Sequence, residues 1–160
     1  MKPFDPKTVL AAMLLSATIA TGGAGLARAV TSDSTPSADL PDSYKDAKEM
    51  VEDEDYDKAI PLLEQSMKDK GAEFADALNM LGYSYRKLGN MPKALEYYNK
   101  ALAMEPKHLG ANEYMGELYL EMKDLPHAEE RLAVLKTACS DCDELEDLEK
   151  AIKKYKKKNS

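Results

Sequence analysis

The sequence predicts an all-α fold, a stack of about three helix–turn–helix hairpins closed by a final helix, and three observations predict it. The chain repeats itself at a spacing of 34 residues, so that Gly82 falls on Gly116, Tyr85 on Tyr119, Ala94 on Ala128 and Tyr98 on Leu132. Beyond residue 41, apolar residues recur at three- and four-residue steps, which is the period of one helix face. Stop and turn residues fall between the periodic segments: Gly89-Asn90 turns the clearest hairpin, and Pro106 ends its second helix.

The elements follow in order. Lys2 and Lys7 precede an apolar stretch from Val9 to Ala20, Gly22 and Gly23 break it, and Ala27-Arg28-Ala29 places small residues at a cleavage site. This pattern reads as a signal peptide over 1–29, removed after Ala29. The apolar stretch is shorter than the roughly 20 residues of a membrane-spanning helix, so no stable membrane insertion is expected after cleavage. Asp5 is unusual in such a leader and leaves an uncleaved anchor as the other reading. Residues 30–41 are rich in Ser, Thr, Asp and Pro and read as a flexible linker. The expected location is outside the cytoplasm, periplasmic with secretion as the other route, and the folded domain is expected over 42–157.

From Ala75, the residues Leu78, Leu81, Gly82 and Tyr85 give the spacing L-x2-L-G-x2-Y, followed by Ala94, Tyr98, Ala101 and Pro106. This resembles the tetratricopeptide repeat signature, in which small residues let the two helices of a hairpin cross closely and aromatic residues fill the gaps beside them. The resemblance implies a right-handed α-solenoid with repeats at about 40–74, 75–108 and 109–142 and a capping helix over 143–157. The first unit is degenerate: Ala47 stands for Gly82, Ala59 for Ala94 and Leu63 for Tyr98, but Asp46 takes the Leu81 place and Met50 the Tyr85 place. Terminal repeats depart from the pattern because one face meets water. Pro61, near the start of a helix, predicts a slight bend there. The third unit departs where Pro106 would recur, at Ser140, and runs Cys139-Ser140-Asp141-Cys142. Asp143 then caps a last helix whose Leu145, Leu148, Ile152 and Tyr155 share one side.

Composition narrows the function. The net charge is −7, and the leader holds three bases, Lys2, Lys7 and Arg28, against Asp5, so the part after it is more acidic still. Nucleic acid is therefore not expected as a partner, because neutralising phosphates needs a clustered basic surface. The basic run Lys153, Lys154, Lys156, Lys157 and Lys158 reads as a solubilising helix end that complements the helix dipole. With two His and two Cys and no Gly-rich phosphate loop, no catalytic residue, cofactor or metal is assigned. Glu113 and Glu117, four residues apart on a helix, read as solvated charge with nothing to shift their pKa. His108 reads as an exposed turn residue. Met50, Met67, Met80, Met91, Met104, Met115 and Met122 follow core spacing and read as packing residues, not as thioether ligands.

Cys139 and Cys142 are the one sharp chemical feature. An oxidising compartment favours a disulfide that clamps the turn before the last helix. A redox pair and a metal site stay open beside it. A helix N-terminus would lower a thiol pKa, yet Asp141, Asp143, Glu144, Glu146 and Asp147 oppose a thiolate, and the nearest His, His127, stands on another helix.

The resemblance also implies an inner groove lined by the first helix of each repeat. With packing positions removed, the groove is expected to present Tyr44, Lys48, Val51 and Glu52, then Asn79, Tyr83, Arg86 and Lys87, then Glu113, Glu117, Leu120 and Glu121. Asn79, Tyr83 and Arg86 share a face at i, i+4 and i+7, and their chemistry suits a peptide backbone, an apolar contact and a carboxylate. The groove is expected to be basic in its middle and acidic toward the third repeat. Lys and Asn positions of the family's peptide-carboxylate clamp are matched only in part, so that mode is not carried over. The expected function is an exported protein–protein interaction scaffold that binds a peptide or protein segment in the concave groove. The alternative is a thiol-disulfide or metal-handling accessory that uses Cys139 and Cys142. The partner is an unknown protein or peptide, and exposed repeat ends leave self-association open.

Overall fold

A computed structural model describes residues 40–159. The expected signal peptide 1–29 and residues 30–39 of the expected linker lie outside the described residues. Within them the chain forms α1 (Asp42–Glu52), α2 (Tyr56–Lys70), α3 (Ala75–Lys87), α4 (Met91–Met104), α5 (Leu109–Glu121), α6 (Leu125–Ala138) and α7 (Asp143–Lys158). The helices pair as hairpins α1–α2, α3–α4 and α5–α6, each packed on the next, and α7 packs on α5 and α6. This is an all-α helical-repeat solenoid.

One turn is used three times. Each first helix runs into a single residue of positive φ: Glu54 at 61°, Gly89 at 77° and Lys123 at 62°. Behind it a backbone bond closes the helix end, from Asp55 N–H to the Met50 carbonyl, from Asn90 to Tyr85 and from Asp124 to Tyr119, each at 2.8 Å. Gly occupies the left-handed position only in the middle hairpin, where it carries no Cβ penalty. The next helix then starts on a capping side chain: Asn90 accepts from the Lys93 N–H and Asp124 from the His127 N–H, with Pro92 and Pro126 in the first turn. In the first hairpin the Asp55 carboxylate accepts instead from Lys58 Nζ at 2.7 Å.

The core runs through the stack as linked clusters: Tyr44, Leu63, Phe74 and Leu81 at its start, Ala94, Tyr98, Met115 and Leu118 in the middle, and Leu135, Leu148 and Ile152 at its end. Small residues stand where helices cross. A Cβ added at Gly82 would lie 2.6 Å from the Tyr98 ring, which is fully buried. At Gly116 the space is taken by a δ-methyl of Leu148 at 2.6 Å, so α7 fills the crossing that Tyr98 fills in the second hairpin, although Leu132 holds the Tyr98 place in the third.

Asp46, in the Leu81 place, is exposed while Ala47 is fully buried, as expected of a terminal repeat with one face toward water. Other expectations change. Asp143 is the first residue of α7 and not its cap; Cys142 is the N-cap, without a side-chain bond. Met104 and Met122 are 49% and 47% exposed and are not core residues, since both sit at helix ends beyond the packed faces. Pro61 lies within an unbroken α2, as expected, and faces solvent.

Candidate partner-binding groove

The first helices α1, α3, α5 and α7 stand side by side, and the inner surface is theirs. Its main feature is a cleft of about 470 Å³ between α3, α5 and α7. Leu120, Ala151 and the ring of Tyr155 supply apolar surface, and Arg86, Lys87, Glu117, Glu121, Lys154 and Lys158 supply charge. One wall is pinned by Arg86, which donates to Glu117 at 2.7 Å and to Glu121 at 3.1 Å and is 8% exposed. Its guanidinium lies 5.6 Å from the Tyr83 ring centre and 5.8 Å from that of Tyr114, within the range of cation–π attraction.

A second, smaller recess lies toward the first hairpin, where Val51, Glu52 and Glu54 meet Met80, Tyr83 and Tyr114. Here Tyr56, Tyr83 and Tyr114 form a run of rings with centres 6.0 Å and 4.8 Å apart. Lys87 lies over Tyr56 and Tyr83 at 6.0 Å and 5.7 Å. The groove therefore carries an aromatic strip joined to a cationic one.

Of the expected groove residues, Tyr83, Arg86, Lys87, Glu117, Leu120 and Glu121 come together at these two recesses, with Val51 and Glu52 at the edge of the smaller one. Four do not. Tyr44 is buried against Phe74, with ring centres 5.3 Å apart, and burial pushes its hydroxyl up to about 12. Asn79 is 6% exposed and faces the start of α5, where its amide would stand 3.0 Å from a Cβ at Gly110. Lys48 is exposed near the start of α3, close enough to Asp76 to help hold that carboxyl ionised. Glu113 is 8% exposed, and the expectation of a solvated carboxylate fails for it: burial first, then the charges of Glu117, Glu144 and Asp147, push its carboxyl up to about 8. The position of Arg86 corrects a second expectation, because its fork is already engaged by the acids of α5 and the middle of the groove is not a free basic patch.

The sequence reading missed Tyr56, Tyr114 and the whole inner face of α7. A signal for α7 was present. Moving Glu117, Leu120 and Glu121 a further 34 residues gives Ala151, Lys154 and Tyr155, which are the residues that line the cleft. By register α7 stands in the place of a further first helix, and the lysines read as a solubilising end include two that wall the site.

His108 is also not an exposed turn residue. Its side chain is 11% exposed; Nδ1 accepts from the Ala111 N–H as the cap of α5, which leaves the proton on Nε2 to donate to Asp76 of α3 at 3.1 Å. That hydrogen bond holds the Asp76 carboxyl below its ordinary value. Beside it, Asn112 sits fully buried where the second repeat has Leu78, and its amide donates to the carbonyls of Pro106 and His108 at 3.1 Å and 2.9 Å. Cys139 and Cys142 face each other across the α6–α7 turn with Cα atoms 5.9 Å apart, within disulfide reach. Among the described residues no three His, Cys, Asp or Glu side chains gather as a metal-holding group.

Comparison with known proteins agrees with this geometry. The family model of the tetratricopeptide repeat matches residues 75–108. The uncharacterized protein ycf37 of Pyropia yezoensis is 30% identical over 96 residues, covering 55% of this chain and 54% of that protein, so the chain spans about half the length of this curated relative. The tetratricopeptide repeat domain of Sgt2 from Aspergillus fumigatus superposes with a TM-score of 0.63 at 23% identity, covering 78% of this chain and 80% of that one. The type III secretion translocator chaperone SycD of Yersinia enterocolitica gives 0.65 at 17% identity, covering 78% and 96%. PcrH, solved in complex with the chaperone binding region of PopB, gives 0.61 at 18%, covering 74% and 95%. Repeated hairpins, small residues at their crossings and this family match together identify residues 75–108 as a tetratricopeptide repeat within an all-α helical-repeat solenoid.

Proposed function

We propose that the chain is a protein–protein interaction scaffold that holds a segment of a partner protein in its concave groove, with the cleft between α3, α5 and α7 as the main seat. The repeat fold supports the scaffold reading at a coarse level, and two of its structural neighbours, SycD and PcrH, are a chaperone and a protein solved with a chaperone binding region. The observation that carries the finer reading is the lining of the cleft. Three successive first helices contribute residues at one register, and together they offer apolar floor at Leu120, Ala151 and Tyr155 beside the cations Lys87, Lys154 and Lys158. An apolar centre with a charged rim is the anatomy of a docking site for a peptide segment. Catalysis plays no part in this reading.

The test is a Lys154→Glu, Tyr155→Ala variant. Both residues border the cleft, and Lys154 is exposed, so helicity is expected to hold while recovery of the crosslinked partner drops by roughly tenfold or more. Undiminished recovery from a folded variant would sink the proposal.

We further propose that the chain is exported through its leader and that Cys139 and Cys142 form a structural disulfide there. The short α6–α7 turn and the 5.9 Å Cα separation support the pairing. Alkylation of intact cells should label neither thiol until a reductant is added; labelling without reductant would speak for free thiols and for the cytoplasm.

A further inference from the structure

The first helices end together at one edge of the stack. Val51 and Glu52 share a recess with Met80 and Tyr83, Arg86 bonds Glu117 and Glu121, and Arg86, Lys87 and Glu121 border the same cleft as Lys154 and Lys158. Along this edge the exposed residues change character in order. α1 ends in the acidic turn Glu52, Asp53 and Glu54. α3 is followed by its C-cap Leu88 and α5 by its C-cap Met122, 43% and 47% exposed; these are two of the three large exposed apolar residues among the described ones. α7 ends on Lys157 and Lys158.

The order acid, apolar, apolar, base is complementary to itself when reversed. A two-fold contact requires that property, because the same surface serves both copies. We propose that a second copy of the chain docks along this edge, antiparallel and about a two-fold axis. In that arrangement the acidic turn of each copy meets Lys157 and Lys158 of the other, and Leu88 lies opposite Met122 on both sides of the axis. Lys87 and Glu121, which precede the two apolar residues, also fall opposite each other with unlike charge. A parallel pairing would set acid against acid and lysine against lysine. The apolar contact is small and the ionic one lies at the rim, so the charges fix orientation more than they add affinity, and the dimer is weak and salt-sensitive.

Sedimentation equilibrium of the full chain tests this through a charge swap. One variant carries Asp53→Lys and Glu54→Lys, the other Lys157→Glu and Lys158→Glu; all four positions are exposed, and circular dichroism checks that helicity is kept. The wild type is expected to approach twice the monomer mass as concentration rises in low salt, each variant alone to remain monomeric, and an equimolar mixture of the two to regain the dimer. A wild type that stays monomeric, variants that dimerise as the wild type does, or a mixture that stays monomeric would each overturn the proposal. Dimerisation that is lost only on capping the outer face of α1 would point to end-to-end stacking instead and would overturn it as well.

Discussion

Gly82 and Gly116 occupy the same place in consecutive hairpins, and a different element presses on each. Gly82 meets the ring of Tyr98 from its own hairpin, whereas Gly116 meets Leu148 from α7. The middle hairpin closes upon itself, and the third is closed by the helix that follows it. A repeat signature therefore specifies where a gap will be but not which element fills it, and at the end of a stack the filler comes from outside the repeat. Because α7 is that filler, it also stands in line with the first helices and becomes a wall of the groove.

This contrast is sharpest at Leu148, which is fully buried. Truncating Leu148 to Ala is expected to cost about 3 kcal/mol in urea unfolding and to undock α7. An intact α7, seen as unchanged hydrogen-exchange protection over Asp143–Lys158, would show that the helix is held by other contacts. Gly82→Ala should cost about 2 kcal/mol, because the Tyr98 ring is buried on all sides and cannot swing away. Gly116→Ala should cost less, about 1 kcal/mol, since a leucine methyl can turn aside. Equal costs at the two positions would mean that the Tyr98 ring and the Leu148 methyl yield alike.

Legibility in the sequence follows the same division. Features that depend on neighbours close along the chain could be read: the hairpins from their period, the turn from Gly89-Asn90, the close crossing from Gly82. Features that depend on what covers a surface could not. Glu113 and Glu117 look alike in sequence, four residues apart on one helix, yet Glu113 is buried near the acids at the start of α7 while Glu117 reaches Arg86. Arg86 looked free for a partner, because nothing local to α3 shows that α5 brings two carboxylates to it. The role of α7 was hidden for another reason: Lys154 and Tyr155 repeat the positions of Leu120 and Glu121 but not their residue types.

Glu113 gives a pH test of the contrast between the two acids. Its carboxyl is raised from an ordinary 4.5 to about 8, so between those values the folded state holds a proton that the unfolded state has lost. Stability from this group is present below pH 4.5 and is lost as pH rises toward 8. Glu113→Gln, which keeps the shape and removes the titration, should flatten that fall in melting temperature. An unchanged profile would mean that Glu113 is solvated after all.

The smallest expected effect concerns the shared turn. Glu54 and Lys123 hold the left-handed conformation that Gly89 holds without a Cβ. Replacing Lys123 by Gly should stabilise the chain by about 0.5 kcal/mol, the relief of backbone strain less the added freedom of the unfolded chain. Gly89→Ala should destabilise it by about 1 kcal/mol for the same reason reversed.

The central claim is that α7 and the groove helices together form the seat of a partner, and site-specific photo-crosslinking in living cells addresses it most directly. A photoreactive residue at position 155, in the cleft, is compared with one at position 100, exposed on α4 outside it. The account predicts one dominant protein adduct from position 155 that disappears when Lys154 is changed to Glu, and none from position 100. Adducts of the same partner from position 100, with none from position 155, would contradict it.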